Sequence, residues 1–219
     1  MPQPEPERTP QANINPVVRI VAEIIFTLVF RVYLRTRIRG KQHLPKHGPY
    51  IIVANHLSLI DPPLVGWAAW PQTLYFMAKE ELWDSKVMGW ILGNLGGFAV
   101  NRSVRDTTAT RRSLAILKEG KCLVTFPEGT RSTDGELQQM RTGAIRLASK
   151  LRCPIIPAYI TGTNKVLPKG SRFPHPHRVS ITFGPPFELT SLYDHSPTTA
   201  ETEAAVLDMS QRLGSLAER

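Results

Sequence analysis

The stretch Tyr50-Ile51-Ile52-Val53-Ala54-Asn55-His56-Leu57-Ser58-Leu59-Ile60-Asp61-Pro62-Pro63 decides the fold. Its first five residues form an apolar run of strand length, and the polar string after them cannot continue it. Asp61-Pro62-Pro63 then reads as a helix start, with an acid at the N-cap and proline in the first turn. A buried strand, a polar loop and a helix together form the first half of an α/β unit.

Read outward, the same alternation repeats. Apolar runs predict further strands over Thr73–Met77, Gly97–Val100, Cys122–Phe126, Ile155–Ile160 and Val179–Phe183. Helical patterns fall at Pro62–Ala69, Ser85–Leu92, Val104–Glu119, Leu137–Lys150 and Thr199–Ala217, and Gly120 is placed to end the third of these. The expected class is α/β: a mixed β-sheet flanked by helices. Cys122 and Cys153 sit in apolar stretches and read as core thiols.

Ahead of this region, Val17, Ile20, Val21, Ile24, Ile25, Leu28, Val29 and Val32 keep helical spacing. Arg19, Glu23, Thr27 and Arg31 form one narrow polar stripe along the same helix. Arg31, Arg35, Arg37, Arg39 and Lys41 follow with no acid among them, a collar suited to anionic headgroups. The expectation is a Pro-rich disordered start over 1–15, a membrane-associating helix over 16–39 and a catalytic domain over 40–219. Spanning, interfacial and ordinary core-helix readings compete for 16–39, and the collar favours a helix lying in the cytoplasmic leaflet. No secretory signal is read at MPQPEPERTP.

The 219 residues carry a formal net charge of +9, which favours acidic partners. Nucleic acid is not favoured, since basic zipper helices, zinc spacings and RNP-like strands are missing from the sequence. The short string His175-Pro176-His177 is no convincing metal site.

Two predicted strands run into chemistry-bearing strings. Beyond the first, His56 can accept a proton near neutral pH, and Asp61 can take its other N–H and fix its tautomer. Five helical residues turn through roughly 500°, so the pair can meet only if the segment bends as a loop. Alternatively, Asp61 only caps a helix and His56 is structural. Beyond Cys122–Phe126 stand Pro127-Glu128-Gly129-Thr130-Arg131-Ser132. Arg131 suits a phosphate and Glu128 a substrate hydroxyl; the plain alternative is a surface turn with a Glu–Arg ion pair.

Asn55-His56 with Asp61 resembles the NHxxxxD motif of the glycerolipid acyltransferase superfamily. Phe126-Pro-Glu-Gly-Thr-Arg-Ser132 resembles its second block, Gly96-Gly97-Phe98-Ala99-Val100-Asn101-Arg102 the block between, and Pro154-Ile-Ile-Pro-Ala-Tyr159 the last. The resemblance covers roughly Ile38 to Phe187, in the family's order. It departs at Asn101, where an acidic residue often precedes the Arg.

The resemblance implies an enzyme of the 1-acyl-sn-glycerol-3-phosphate acyltransferase type, acting in phospholipid biosynthesis. His56 is then the general base and Asp61 orients it, with no acyl-enzyme. Arg131, Arg102 and Lys79 would bind the acceptor phosphate, and Glu128, Gly129 and Thr130 would shape the acceptor site. No metal or cofactor is implied; acyl-CoA or acyl carrier protein supplies the acyl group. The expected partners are a lysophospholipid, foremost lysophosphatidic acid, and an anionic membrane at its cytoplasmic face. Glycerol 3-phosphate or another lysolipid is the alternative acceptor, and a non-catalytic lipid-binding protein the alternative class.

Overall fold

The structure is a computed structural model that describes residues 14–100, 107–132, 134–171, 173–189 and 197–217. Seven strands form one sheet: β1 Arg37–Arg39, β2 Ile51–Ala54, β3 Leu74–Lys79, β4 Gly97–Val100, β5 Cys122–Thr125, β6 Ile155–Thr161 and β7 Ser180–Phe183. Their spatial order is β1-β7-β6-β2-β5-β3-β4. Every neighbouring pair is parallel except β6 and β7, which makes the sheet mixed. The helices are α1 Pro16–Phe26, α2 Asp61–Ala68, α3 Lys86–Asn94, α4 Thr107–Lys118, α5 Gly143–Leu151, α6 Thr163–Val166 and α7 Thr199–Ala217.

β2 lies near the middle of the sheet and is buried on both faces, which is why it reads as a continuous apolar run. Side chains alternate across the sheet. Ile52 and Ala54 join a core with Phe30, Leu64, Trp67, Phe76 and Phe183 on one face. Ile51 and Val53 join Ile116, Leu117, Ile145, Met209 and Leu213, from α4, α5 and α7, on the other. Gly120, with φ +73°, ends α4 as its position predicts. Cys122 and Cys153 are buried free thiols.

Three features differ from expectation. First, the helix expected over 16–39 stops well short of Arg39. α1 continues as a π-helical stretch over Thr27–Tyr33, and Arg37–Arg39 is an edge strand paired with Ser180–Thr182. A three-residue strand with two exposed arginines has too little apolar pattern to be read, and its charges suit an unpaired sheet edge. No helix among the described residues is long and apolar enough to cross a membrane.

Second, Arg19, Glu23 and Thr27 of the polar stripe turn inward, while Arg31 stays exposed. Arg19 donates to Thr73 Oγ1 and to the Pro71 carbonyl and sits 4.4 Å over the Trp70 ring. Thr27 Oγ1 accepts from the Trp67 indole N–H at 2.9 Å. Phe26 and Phe30 pack in sequence towards Trp67. The segment is therefore held by its polar stripe and aromatic residues, and the rest of its apolar surface is exposed.

Third, α5 begins at Gly143, not Leu137. Residues 137–142 are used otherwise, because Gln138 and Arg141 donate backbone amides to the Pro127–Glu128 turn.

Candidate active site

The parallel strands end at one edge of the sheet, where loops gather functional groups. β2 delivers Asn55 and His56 there, β5 delivers Phe126 to Arg131, and β3 ends at Lys79. Arg102, expected to bind phosphate just beyond β4, lies outside the described residues.

The loop after β2 bends back on itself and brings the predicted pair together. His56 Nδ1 lies 2.9 Å from Asp61 Oδ2. The same oxygen accepts the backbone amides of Leu57 and Ser58, each at 2.7 Å. Asp61 is fully buried, and its Oδ1 has no hydrogen-bond partner among the described residues. Asp61 is thus not the N-cap of α2. Ile60 holds the cap position without a side-chain bond, and the carboxylate reaches backward into the loop, away from the helix amides. Three donors on one oxygen fix the carboxylate before any substrate arrives. An Nδ1–H donated to Asp61 Oδ2 leaves Nε2 as the acceptor nitrogen of the ring.

Three further contacts seat His56. Its ring stacks on Phe126, with centroids 4.4 Å apart. Its backbone N–H donates to Glu128 Oε1 at 2.8 Å, and its carbonyl accepts from Ser132 N at 2.8 Å. Glu128 Oε2 accepts from Gln138 N at 3.2 Å. Glu128 is buried, and burial raises its carboxyl pKa against the lowering effect of the two amides. It clamps the two motif loops together and forms no ion pair with Arg131, so the surface-turn alternative does not describe it.

Gly129 has φ +72°, and a Cβ there would fall 2.9 Å from the Arg141 guanidinium carbon. The left-handed dihedral favours glycine, whereas the guanidinium is the far end of a flexible side chain that can shift. Ser58 is buried, and its hydroxyl donates to the Leu167 carbonyl at 3.0 Å.

Asn55, the first residue of the motif, ties β2 to β6. Its side-chain amide donates to Ile160 O at 2.9 Å, and its carbonyl accepts Ile160 N at 2.7 Å. It extends the β2–β6 ladder by one pseudo-residue and anchors the backbone just before His56. An Asn immediately after a buried strand was the available signal.

A cleft of about 430 Å³ opens from His56. Thr130, Arg131 and Lys79 line it beside the histidine, and Lys79 Nζ lies 3.8 Å from the exposed Glu81 carboxylate. The remaining wall is largely apolar, with Phe26, Trp67, Phe76, Met77, Leu92 and Val124 among its residues. Arg19, Gln72 and Thr73 line it at the start of β3, while Lys79 stands at that strand's end. Six residues of strand advance roughly 20 Å. An imidazole, a guanidinium and a long apolar groove therefore share one enclosure.

This fold and site define the chain's class, and comparison with known proteins agrees: the Acyltransferase family model matches residues 35–161, and the chain belongs to that family. It is similar to 1-acyl-sn-glycerol-3-phosphate acyltransferases. That of Bacillus subtilis is 24% identical over 180 residues, which cover 82% of this chain and 87% of the relative. The chloroplastic enzyme of Brassica napus is 29% identical over 154 residues, 69% of this chain; the match spans only 44% of that relative's length. The crystal structure of the 1-acyl-sn-glycerophosphate acyltransferase PlsC from Thermotoga maritima superposes with a TM-score of 0.73 at 29% identity, covering 93% of this chain and 83% of that one.

Proposed function

We propose that the protein transfers a fatty acyl group from an acyl thioester to the sn-2 hydroxyl of lysophosphatidic acid, giving phosphatidic acid. The observation that carries this reading is the His56–Asp61 contact at the head of the apolar cleft, beside Arg131. His56 Nε2 takes the proton of the acceptor hydroxyl as its oxygen attacks the thioester carbonyl. The C–S bond breaks, and the imidazolium returns the proton to the leaving thiolate. Asp61 stabilises the imidazolium between these steps.

Arg131 holds the acceptor phosphate, with Lys79 and Arg102 as further cations and Glu128, Gly129 and Thr130 shaping the turn around it. The cleft along β3 receives an acyl tail. The donor is acyl-CoA or an acylated carrier protein, each negatively charged and drawn to a basic chain. The exposed apolar surface of α1, with Arg31, Arg35, Arg37, Arg39 and Lys41 after it, supports association with the anionic cytoplasmic face of a membrane.

The test is thiol release by purified protein given palmitoyl-CoA or palmitoyl carrier protein, with lysophosphatidate and glycerol 3-phosphate offered separately. Release with lysophosphatidate that is lost in His56→Ala supports the reading. Turnover of glycerol 3-phosphate alone would replace the acceptor. Undiminished activity in His56→Ala would remove the general base.

A further inference from the structure

Exposed apolar side chains are not scattered over this protein. Among the described residues, Phe173 and Leu207 are the exceptions; every other exposed large hydrophobic lies on α1 and its π-helical continuation, at Leu59, or between Leu82 and Ile91. The last group is unexpected. α3 turns Gly89 onto the Trp83 ring and keeps Leu92 partly buried against the core. Its outward residues Val87, Trp90 and Ile91 fall at i, i+3 and i+4, so they form a second apolar stripe facing away from the domain. Val87 is 69% exposed and Trp90 58%.

The end of α3 meets the start of α1. The backbone N–H of Asn15, just before α1, donates to Asn94 Oδ1 at the end of α3, at 3.1 Å. Both helices also wall the cleft, α1 through Ala22 and Phe26 and α3 through Leu92, with Leu59 and Leu82 completing its apolar margin. Such a concentration around one opening marks an interaction face. We propose that α3 is a second bilayer-inserting element, which enters the hydrocarbon boundary together with α1 and sets the cleft open to lipid tails. The occupant is a lipid bilayer because the surface is apolar around an apolar channel, flanked by the basic collar after α1 and carrying tryptophan in the outward stripe. The inference rests on the proposed reading of the acceptor as a membrane lipid.

Charge separates the two elements. Around α3, Lys79 and Lys86 are met by Glu80, Glu81 and Asp84, so no basic excess draws it to anionic lipid. Its contribution is apolar and insensitive to salt, whereas that of Arg31 and Arg35 is screened.

The experiment is sedimentation of the protein with phosphatidylcholine–phosphatidylglycerol vesicles, without substrate, at low and high salt. Val87→Asp/Trp90→Asp is expected to weaken binding at least about tenfold at both salt levels. Arg31→Gln/Arg35→Gln is expected to weaken it only at low salt. Brominated lipid tails are expected to quench wild-type fluorescence more than that of Trp90→Phe. The Asp variant should keep its activity on detergent-dispersed acceptor and lose it on vesicle-embedded acceptor, which shows that it is folded. Unchanged vesicle binding overturns the proposal. So does a wild-type dimer that becomes monomeric in the Asp variant, since a second copy would then cover the stripe. Binding is read without turnover, so failure of the acyl-transfer reading would appear separately, as an inactive wild type that still binds vesicles.

Discussion

The carboxylate of Glu128 accepts the backbone N–H of His56 at 2.8 Å, across 72 positions of sequence. One motif thereby holds the backbone of the other, and the position of His56 depends on the loop that also carries Arg131. Asp61 holds the imidazole at Nδ1. The histidine is gripped at its ring, amide and carbonyl, so little reorganisation remains for the moment of reaction.

Replacing the base should be the most damaging change to turnover. His56→Ala is expected to lower kcat by between about 10²- and 10⁴-fold with acceptor KM little changed. Asp61→Asn should also reduce kcat strongly, because an amide N–H can face the ring and favour the wrong tautomer. Steady-state thiol release measures both.

Glu128→Gln should cost stability as well as activity. An amide cannot accept both backbone N–H groups with its two ends, and a buried donor left unpaired costs about 1–3 kcal/mol. The pH dependence has a defined sign. Burial raises the folded-state pKa of Glu128, so the native protein holds this proton more tightly than the unfolded chain. Its contribution to stability is largest at low pH and falls as pH rises through the window above the ordinary glutamate value. Denaturant unfolding across that window should show the gap between wild type and Glu128→Gln narrowing with rising pH.

Arg131→Ala should act on acceptor binding. Loss of a charge-assisted bond to phosphate is expected to raise the acceptor KM about tenfold to a hundredfold. The KM for the acyl donor should change far less. Equal effects on both substrates would place Arg131 elsewhere in the reaction.

Gly66 offers a way to shorten the cleft. It lies on α2, lines the cavity, and has no atom within 4 Å of where a Cβ would stand. A Cβ at Gly66 therefore enters open space, so Gly66→Leu should narrow the groove, and replacing a helical glycine costs no helix stability. The variant should favour lauroyl over stearoyl donors relative to wild type, at unchanged thermal stability. A uniform loss across donors would place the acyl tail outside this groove.

Much of this protein is legible in its sequence. The runs at 50–54, 97–100 and 122–126 lie where β2, β4 and β5 form, because strands buried on both faces of a parallel sheet must be continuously apolar. The bend that joins His56 to Asp61 follows from helix geometry, which forbids the contact otherwise. The polar strings at two strand ends marked one edge of the sheet as the site.

Only the tertiary structure decided how those strings are used. Glu128 is a cross-loop clamp and Asn55 a pseudo-residue of the ladder, since each finds its partner across more than seventy positions. The Arg-Ile-Arg segment is an edge strand because β7 offers it a free ladder. Arg19 and Glu23 turn towards the cleft and Thr27 towards Trp67, and an apolar face that local pattern would assign to the core is left outside. Periodicity fixes which residues share a face of a helix. Which way that face points is set by the partners folding brings to it, here Trp67, Trp70 and Thr73, and no local pattern contains them.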